Sequence, residues 1–430
     1  MKILGIRRET KNKWERRVPL NPEGVRVLVK KGYRVMVQPS PIRIYTDSEY
    51  EKAGAEIRMN LSQSDLIIGV KEVPVNEVEP GIPHMFFSHT IKGQSFNMPL
   101  LQRFLDTRST LLDYELIKND EGSRLVFFGK YAGNAGIVDT LWGLGRRLAE
   151  RYQLVTPFLK VKRAHEYGTV TEAKRQLHEI GREIAQHGLP SEIIPFNIFL
   201  MGYGHVAEGC RDILSVFPIE EIKPEDLADT VYNPSSKKLN LVNFKEEHMA
   251  ARKDGSPFDI MDYYSHGTLY RSKVAESIHY CSIYINAIFW PPGYPVFISR
   301  EDLLKLQRDR QKLIIIGDIT CDINGSVVAT VKASEPDNPV YIYNAISGTA
   351  EEGFDKEGFA NCAVDNFPCE FSREASDFFT RVLLPFMDDL LHGDFSKPIT
   401  AAGLPPQLVK ACIAHQGKLQ PQFEYLTKYL

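Results

Sequence analysis

"FNIFLMGYGHVAEGCRDILSVF", residues 196–217, is the stretch whose reading decides the fold. An apolar run, Phe196–Met201, enters Gly202-Tyr203-Gly204-His205-Val206-Ala207, and a helical pattern follows. The spacing is G-x-G-x-x-A between a strand and a helix. The first glycine permits a tight turn, and the second lets backbone approach a pyrophosphate. The small third residue lets helix pack on strand, and the helix N-terminus faces the anion. The stretch predicts a dinucleotide-binding α/β domain, with Gly202, Gly204, His205, Val206 and Ala207 as cofactor-binding residues.

About 20 residues past the first glycine, the next strand is expected to end at the residue that reads the ribose. The register brings Lys223 there, after a strand over 219–222, with Glu221 and Glu225 close by. A lysine suits the 2′-phosphate of NADP and an acid suits NAD, so NADP is expected and NAD stays open. Residues 230–275 are polar and poorly periodic and read as an insertion of loop and short helix. "CSIYINAIFWPP" and "KLIIIGDITCDINGS" read as later strands, the second ending in Asp318 and Asp322. Glycines 129, 133 and 136 open a helical pattern to about Tyr152. That segment reads as a crossover between domains, its small residues allowing close packing, rather than as a second phosphate loop.

Upstream, strand and helix patterns alternate through residues 1–118, which implies a parallel sheet covered by helices. Three strands there finish in ionisable groups. "LIIGVKEVP" (66–74) delivers Lys71 and Glu72, "PHMFFSHTIKGQ" (83–94) delivers His89 and Lys92, and "STLLDYELI" (109–117) delivers Asp113 and Glu115. In a parallel sheet such ends share one edge, where ligands bind. Cations there, Arg17 included, suit a carboxylated substrate. A lysine crowded by cations and partly desolvated can act as a base, His89 can carry a proton near neutrality, and the carboxylates could hold an ammonium group. With a nicotinamide cofactor, this chemistry points to oxidation or reduction at a C–N bond.

The chain has 430 residues, 43% hydrophobic and 25% charged, with a formal net charge of −3. That balance exerts no global pull toward nucleic acid or an anionic membrane. Its six cysteines form no C-x-x-C pair, which argues against a zinc site or a disulfide framework and fits a reducing compartment. No apolar run approaches the roughly 18 residues that span a bilayer, and "MKILGIRRET" starts a strand at once. A soluble, cytoplasmic protein with no metal is expected. Small molecules are its expected partners, and a homo-oligomer is compatible with the composition.

"WERRVPLNPEGV", "GVKEVP" and "FFSHTIK" resemble the N-terminal domain of the alanine dehydrogenase, transhydrogenase and saccharopine dehydrogenase superfamily. "FFGKYAGNAGIVDTLWGLG", "TPFLKVKRAHEYG", "GDITCDINGS" and "VDNFPCEFSREASDFF" resemble the lysine-ketoglutarate reductase domain of bifunctional aminoadipic semialdehyde synthases. The resemblance covers nearly the whole chain. It implies an α/β fold of two Rossmann-like domains with parallel sheets and an active-site cleft between them. The expected bounds are 1–132 plus about 355–430 for the catalytic domain and 133–354 for the nucleotide domain. It further implies NADPH-dependent condensation of L-lysine with 2-oxoglutarate to saccharopine. Carried over by position, Lys71 and His89 become the acid–base groups and Arg17 and Lys92 the carboxylate binders. Glu72 and Glu115 become acids near the amine, and Asp318, Asp322, Asp365 and Asn366 lie in loops near the nicotinamide.

The sequence departs from the bifunctional pattern in two places. No saccharopine-cleaving domain follows, so a separate downstream enzyme is implied, and the 230–275 segment does not line up. Other readings are an alanine dehydrogenase-like enzyme, a lysine-forming saccharopine dehydrogenase, or a non-catalytic nucleotide sensor.

Overall fold

A computed structural model describes residues 1–309 and 312–430. The chain forms two compact units, Met1–Phe128 with Ser372–Leu430, and Gly129–Phe371. Residues 355–371, expected with the catalytic domain, fall in the second unit because a strand at Phe359–Cys362 is hydrogen-bonded into its sheet.

In the first unit, β1 (Ile3–Ile6), β2 (Arg34–Val37), β3 (Glu56–Ile57), β4 (Leu66–Ile68), β5 (Pro83–Phe86) and β6 (Thr110–Asp113) run parallel in the order β3-β2-β1-β4-β5-β6. The chain winds first to one side of β1 and then to the other, so the switch point lies between β1 and β4. The covering helices follow local signals. Asn21 caps Pro22–Lys30 by accepting from Gly24 N at 2.9 Å, and Thr46 and Glu49 form a capping box on Asp47–Lys52. The C-terminal segment adds two short antiparallel strands, Cys412–His415 and Lys418–Leu419, beyond β6. The helix Ser372–Leu383 packs in the same unit, with Ser376 and Thr380 accepting from Val18 N and Asn21 N at 3.0 and 2.7 Å.

The second unit contains β7 (Asn197–Met201), β8 (Ile219–Ile222), β9 (Leu239–Phe244), β10 (Ala250–Arg252), β11 (Tyr270–Ser272), β12 (Ile283–Asn286), β13 (Ile315–Asp318), β14 (Val340–Asn344), β15 (Thr349–Glu351) and β16 (Phe359–Cys362). Its sheet runs β15-β14-β16-β13-β12-β7-β9-β8, parallel from β16 through β8 with an antiparallel edge, while β10 and β11 make a separate hairpin. The 230–275 segment is therefore not only an insertion, because it supplies β9, an inner strand of the sheet. The glycines at 133 and 136 lie inside one helix, Gly129–Arg151, and not in a phosphate loop. A Cβ on Gly133 would stand 1.9 Å from Val206 O, and one on Gly209 2.0 Å from Lys130 O, so this helix and His205–Leu214 touch backbone to backbone. Among the described residues no helix is long and apolar enough to cross a membrane.

Candidate active site

In the first unit the ends of β1, β4, β5 and β6 lie on one sheet edge, and charged side chains there brace one another in pairs. Glu9, just past β1, is buried, and its carboxylate accepts from Val70 N at 2.7 Å and Lys71 N at 3.0 Å. The end of β1 thus holds the backbone that presents Lys71. Asp113, at the end of β6, does the same for β5. It accepts from Ser88 N at 2.9 Å and Ser88 Oγ at 2.5 Å, and its other oxygen accepts from Glu115 N at 2.8 Å. Burial pushes the Asp113 carboxyl up, against these donors. His89 follows Ser88 in the left-handed region, φ 52°, a conformation uncommon outside glycine and associated with functional positions. Asn97 Nδ2 donates to its carbonyl at 3.1 Å.

Lys71 is half-buried, and burial, reinforced by the positive charges of Arg17 and Lys11, lowers its pKa from the ordinary lysine value. Glu72 turns to His89, with Oε1 2.5 Å from Nδ1. Burial opposes ionisation of Glu72, but the hydrogen bond and charge of His89 outweigh it and hold the carboxyl down at about 2. A carboxylate on Nδ1 fixes the imidazole tautomer and leaves Nε2 as the proton-transfer atom. Glu72, expected near a substrate amine, is thus an orienting partner of His89. Glu115 is paired with Arg124.

Arg17 was expected to grip a substrate carboxylate. Its Nε and Nη2 instead donate to Glu15 at 2.8 and 2.6 Å, and its guanidinium lies 4.2 Å from the Phe128 ring centroid. Both residues are buried. The fork is closed on a neighbouring acid, and the charge acts on Lys71. Lys92 lies exposed on the turn Thr90–Lys92, and Lys11 is exposed beside Lys71 and Glu72 in charge terms. Sequence reasoning missed Glu9, Lys11 and Glu15. Their signal was the charged run "RRETKNKWERR" directly after β1.

In the second unit the residues fit a dinucleotide. Gly202 has φ +95°, and a Cβ there would meet Ala287 O at 2.9 Å. A Cβ on Gly204 would meet nothing within 4 Å, so the backbone faces open space where a pyrophosphate could approach. Gly204 is the N-cap of His205–Leu214 and provides no side-chain cap, so the first-turn N–H groups of His205, Val206 and Ala207 point toward that space. Ala207 is buried against the sheet.

Asp318 closes β13 and Asp322 lies beyond it, and Asp365 and Asn366 follow β16, on the same edge as the glycine loop. Asp318 is buried and engaged by Asn286 Nδ2 at 2.8 Å, Cys321 N at 3.3 Å and Thr330 Oγ1. Burial raises its pKa to about 6. It braces the 319–330 loop from within. Asp322 is half-buried and Asp365 exposed, whereas Asn366 is buried. Lys223 directly follows β8. β8, which precedes it, pairs only with β9, and β9 separates it from β7. Lys223 thus stands two strand spacings, about 10 Å, from the strand that carries the glycine loop.

The alanine dehydrogenase/PNT N-terminal domain family matches residues 5–135. The alpha-aminoadipic semialdehyde synthase of Arabidopsis thaliana is 36% identical over 446 residues, covering 99% of this chain and 41% of that protein. The mitochondrial alpha-aminoadipic semialdehyde synthase of Bos taurus is 31% identical, covering 99% and 48%. The chain thus spans about half the length of these relatives or less. The saccharopine dehydrogenase [NAD(+), L-lysine-forming] of Candida albicans is 27% identical over 418 residues, covering 92% of this chain and 93% of that one. Among solved structures, an L-alanine dehydrogenase superposes with a TM-score of 0.62 at 17% identity, covering 99% of both chains, which speaks for the fold. Residues 5–135 thus match the alanine dehydrogenase/PNT N-terminal domain family, the chain is similar to aminoadipic semialdehyde synthases and to lysine-forming saccharopine dehydrogenases, and its fold is like that of the L-alanine dehydrogenase.

Proposed function

We propose that the chain is an oxidoreductase acting on C–N bonds, which joins L-lysine to 2-oxoglutarate by reductive amination, with NADP(H) as cofactor, to give saccharopine. The observation that carries this reading is Lys71, its pKa lowered by burial and by Arg17, next in sequence to the Glu72 that orients His89. The likeness to aminoadipic semialdehyde synthases over 99% of the chain supports the choice of substrates.

In this mechanism Lys71, as free base, takes a proton from the attacking amine as its nitrogen bonds to the carbonyl carbon of the oxoacid. His89 donates a proton from Nε2 to the carbinolamine oxygen, and water leaves with the C–O bond broken. Glu72 keeps the imidazole aligned throughout. The cofactor, when bound, supplies the hydride that reduces the C=N carbon. Gly202 and Gly204 admit its pyrophosphate, and the first turn of His205–Leu214 holds that anion. Lys92, exposed beyond His89, is the proposed carboxylate contact. Arg17 is assigned to tuning Lys71, and the Glu9 and Asp113 braces hold both proton carriers on a rigid sheet edge.

The test is NADPH absorbance with a panel of oxoacids and amines. Oxidation with lysine and 2-oxoglutarate, far faster than with ammonia and pyruvate, supports the reading. Equal rates with both pairs would move the chain to alanine dehydrogenase-like chemistry, and no oxidation with any pair would leave only nucleotide binding.

A further inference from the structure

The topology of the second sheet decides which side chain can read the ribose of a bound dinucleotide. That role falls to the C-terminal end of the strand beside the glycine-loop strand. β7 lies between β12 and β9, and after the glycine loop the chain passes to the β9 side, where β8 pairs with β9: Met201 pairs with Phe244, and Gly202 N donates to Phe244 O at 3.0 Å. The residue after Phe244 is Lys245, which is exposed. The tip of β9 is fixed to the glycine loop, because Asn243 Nδ2 donates to Leu200 O at 3.0 Å and Gly202 O at 2.7 Å.

Glu246 and Glu225 each have partners of their own. Glu246 accepts from Tyr203 Oη at 3.3 Å and Tyr264 Oη at 2.7 Å through the same oxygen. His248 accepts from Lys245 N at 3.1 Å through Nδ1, and its Nε2 lies 3.2 Å from Glu225. Glu225 is thereby engaged, and Glu247 is exposed on the far side of Glu246 in sequence. Lys245 is the ammonium at the tip of β9.

We propose that Lys245, and not Lys223, is the residue that sets cofactor choice, by pairing with the 2′-phosphate of an adenosine 2′,5′-bisphosphate group. The proposal rests on the dinucleotide part of the function proposed above and is independent of the amino-acid substrate. An ammonium matches a phosphate dianion as a point charge with three donors, and removing such a charge-assisted contact weakens binding about tenfold or more.

The experiment is calorimetric titration of the full chain with two probes, adenosine 2′,5′-bisphosphate and adenosine 5′-monophosphate. The wild type is expected to bind the bisphosphate at least about tenfold more tightly. Lys245→Ala should abolish that preference without weakening the monophosphate, Lys245→Arg should keep it, and Lys223→Ala should leave both affinities as they are. A preference that survives Lys245→Ala, or that disappears with Lys223→Ala, would overturn the assignment. Equal binding of both probes by the wild type would overturn it too. Binding of neither probe by folded protein would bring down the nucleotide-site reading itself. Normal nucleotide preference without lysine-dependent turnover would bring down only the substrate reading.

Discussion

Glu72 Oε1 lies 2.5 Å from His89 Nδ1, and the two residues come from the ends of adjacent parallel strands, β4 and β5. The pair gives the imidazole one fixed orientation, so that its remaining nitrogen can act. Glu72→Gln keeps a hydrogen-bond acceptor but loses the charge, and Glu72→Ala loses both. Turnover should fall by about tenfold or more in the first variant and further in the second, with cofactor affinity unchanged. Steady-state kinetics beside a cofactor titration checks this order, and full turnover in Glu72→Ala would remove Glu72 from the mechanism.

The lowered pKa of Lys71 has a pH signature. Burial and the charges of Arg17 and Lys11 favour the neutral amine, so turnover that needs it should rise with pH around a midpoint below the ordinary value of 10.5. Lys11 is exposed and can be changed without opening the core. Lys11→Gln removes one repelling cation, so that midpoint should move upward. A pH profile of kcat/KM in both proteins measures the shift. A downward shift would contradict the electrostatic account.

The strand ends were legible because each is a local pattern, an apolar run closed by ionisable residues. The glycine loop was legible for the same reason. β9 was not, because "LNLVNF" carries two asparagines that make it look like loop. Asn240 Nδ2 donates to Asn197 Oδ1 at 2.8 Å and Asn243 props the glycine loop, so the polar groups are satisfied within the sheet. With β9 unread, the strand before Lys223 stands in as the neighbour of the glycine-loop strand. The strand Cys412–His415 escaped because four residues, all buried, show no alternation. Glu9 and Asp113 brace backbone 61 and 25 residues away in sequence, Val70 and Ser88, and no local pattern announces such partners.

A buried acid pair in the second unit bears on stability. Burial raises Glu370 to about 8 and also pushes Asp139 up; Asp139 Oδ1 accepts from Ala164 N at 2.7 Å, and Glu370 Oε2 accepts from His165 N at 3.3 Å. An acid raised on folding binds its proton more tightly in the native state, so stability is present at low pH. It is lost as pH rises from the unfolded value of 4.5 through about 8. Glu370→Gln should flatten that decline. Urea unfolding across this range checks it, and an unchanged slope in the variant would show that the pair does not titrate there.

Gly133 sits inside the helix Gly129–Arg151, where alanine is ordinarily the better helix former by about 1 kcal/mol. A Cβ there would stand 1.9 Å from Val206 O, which belongs to the helix following the glycine loop. The sign should therefore invert, with Gly133→Ala costing about 1–3 kcal/mol. Thermal unfolding of the variant reads it directly, and a raised Tm would refute the close approach.

The central claim is that Lys71 carries the proton from the attacking amine, at the strand end that Glu9 braces. Lys71→Met tests it most directly, with kcat for lysine and 2-oxoglutarate measured beside the dissociation constant for NADPH. The account requires kcat to fall by about 10²-fold or more while the NADPH dissociation constant stays at its wild-type value. Lost NADPH affinity with normal turnover at saturation would contradict it.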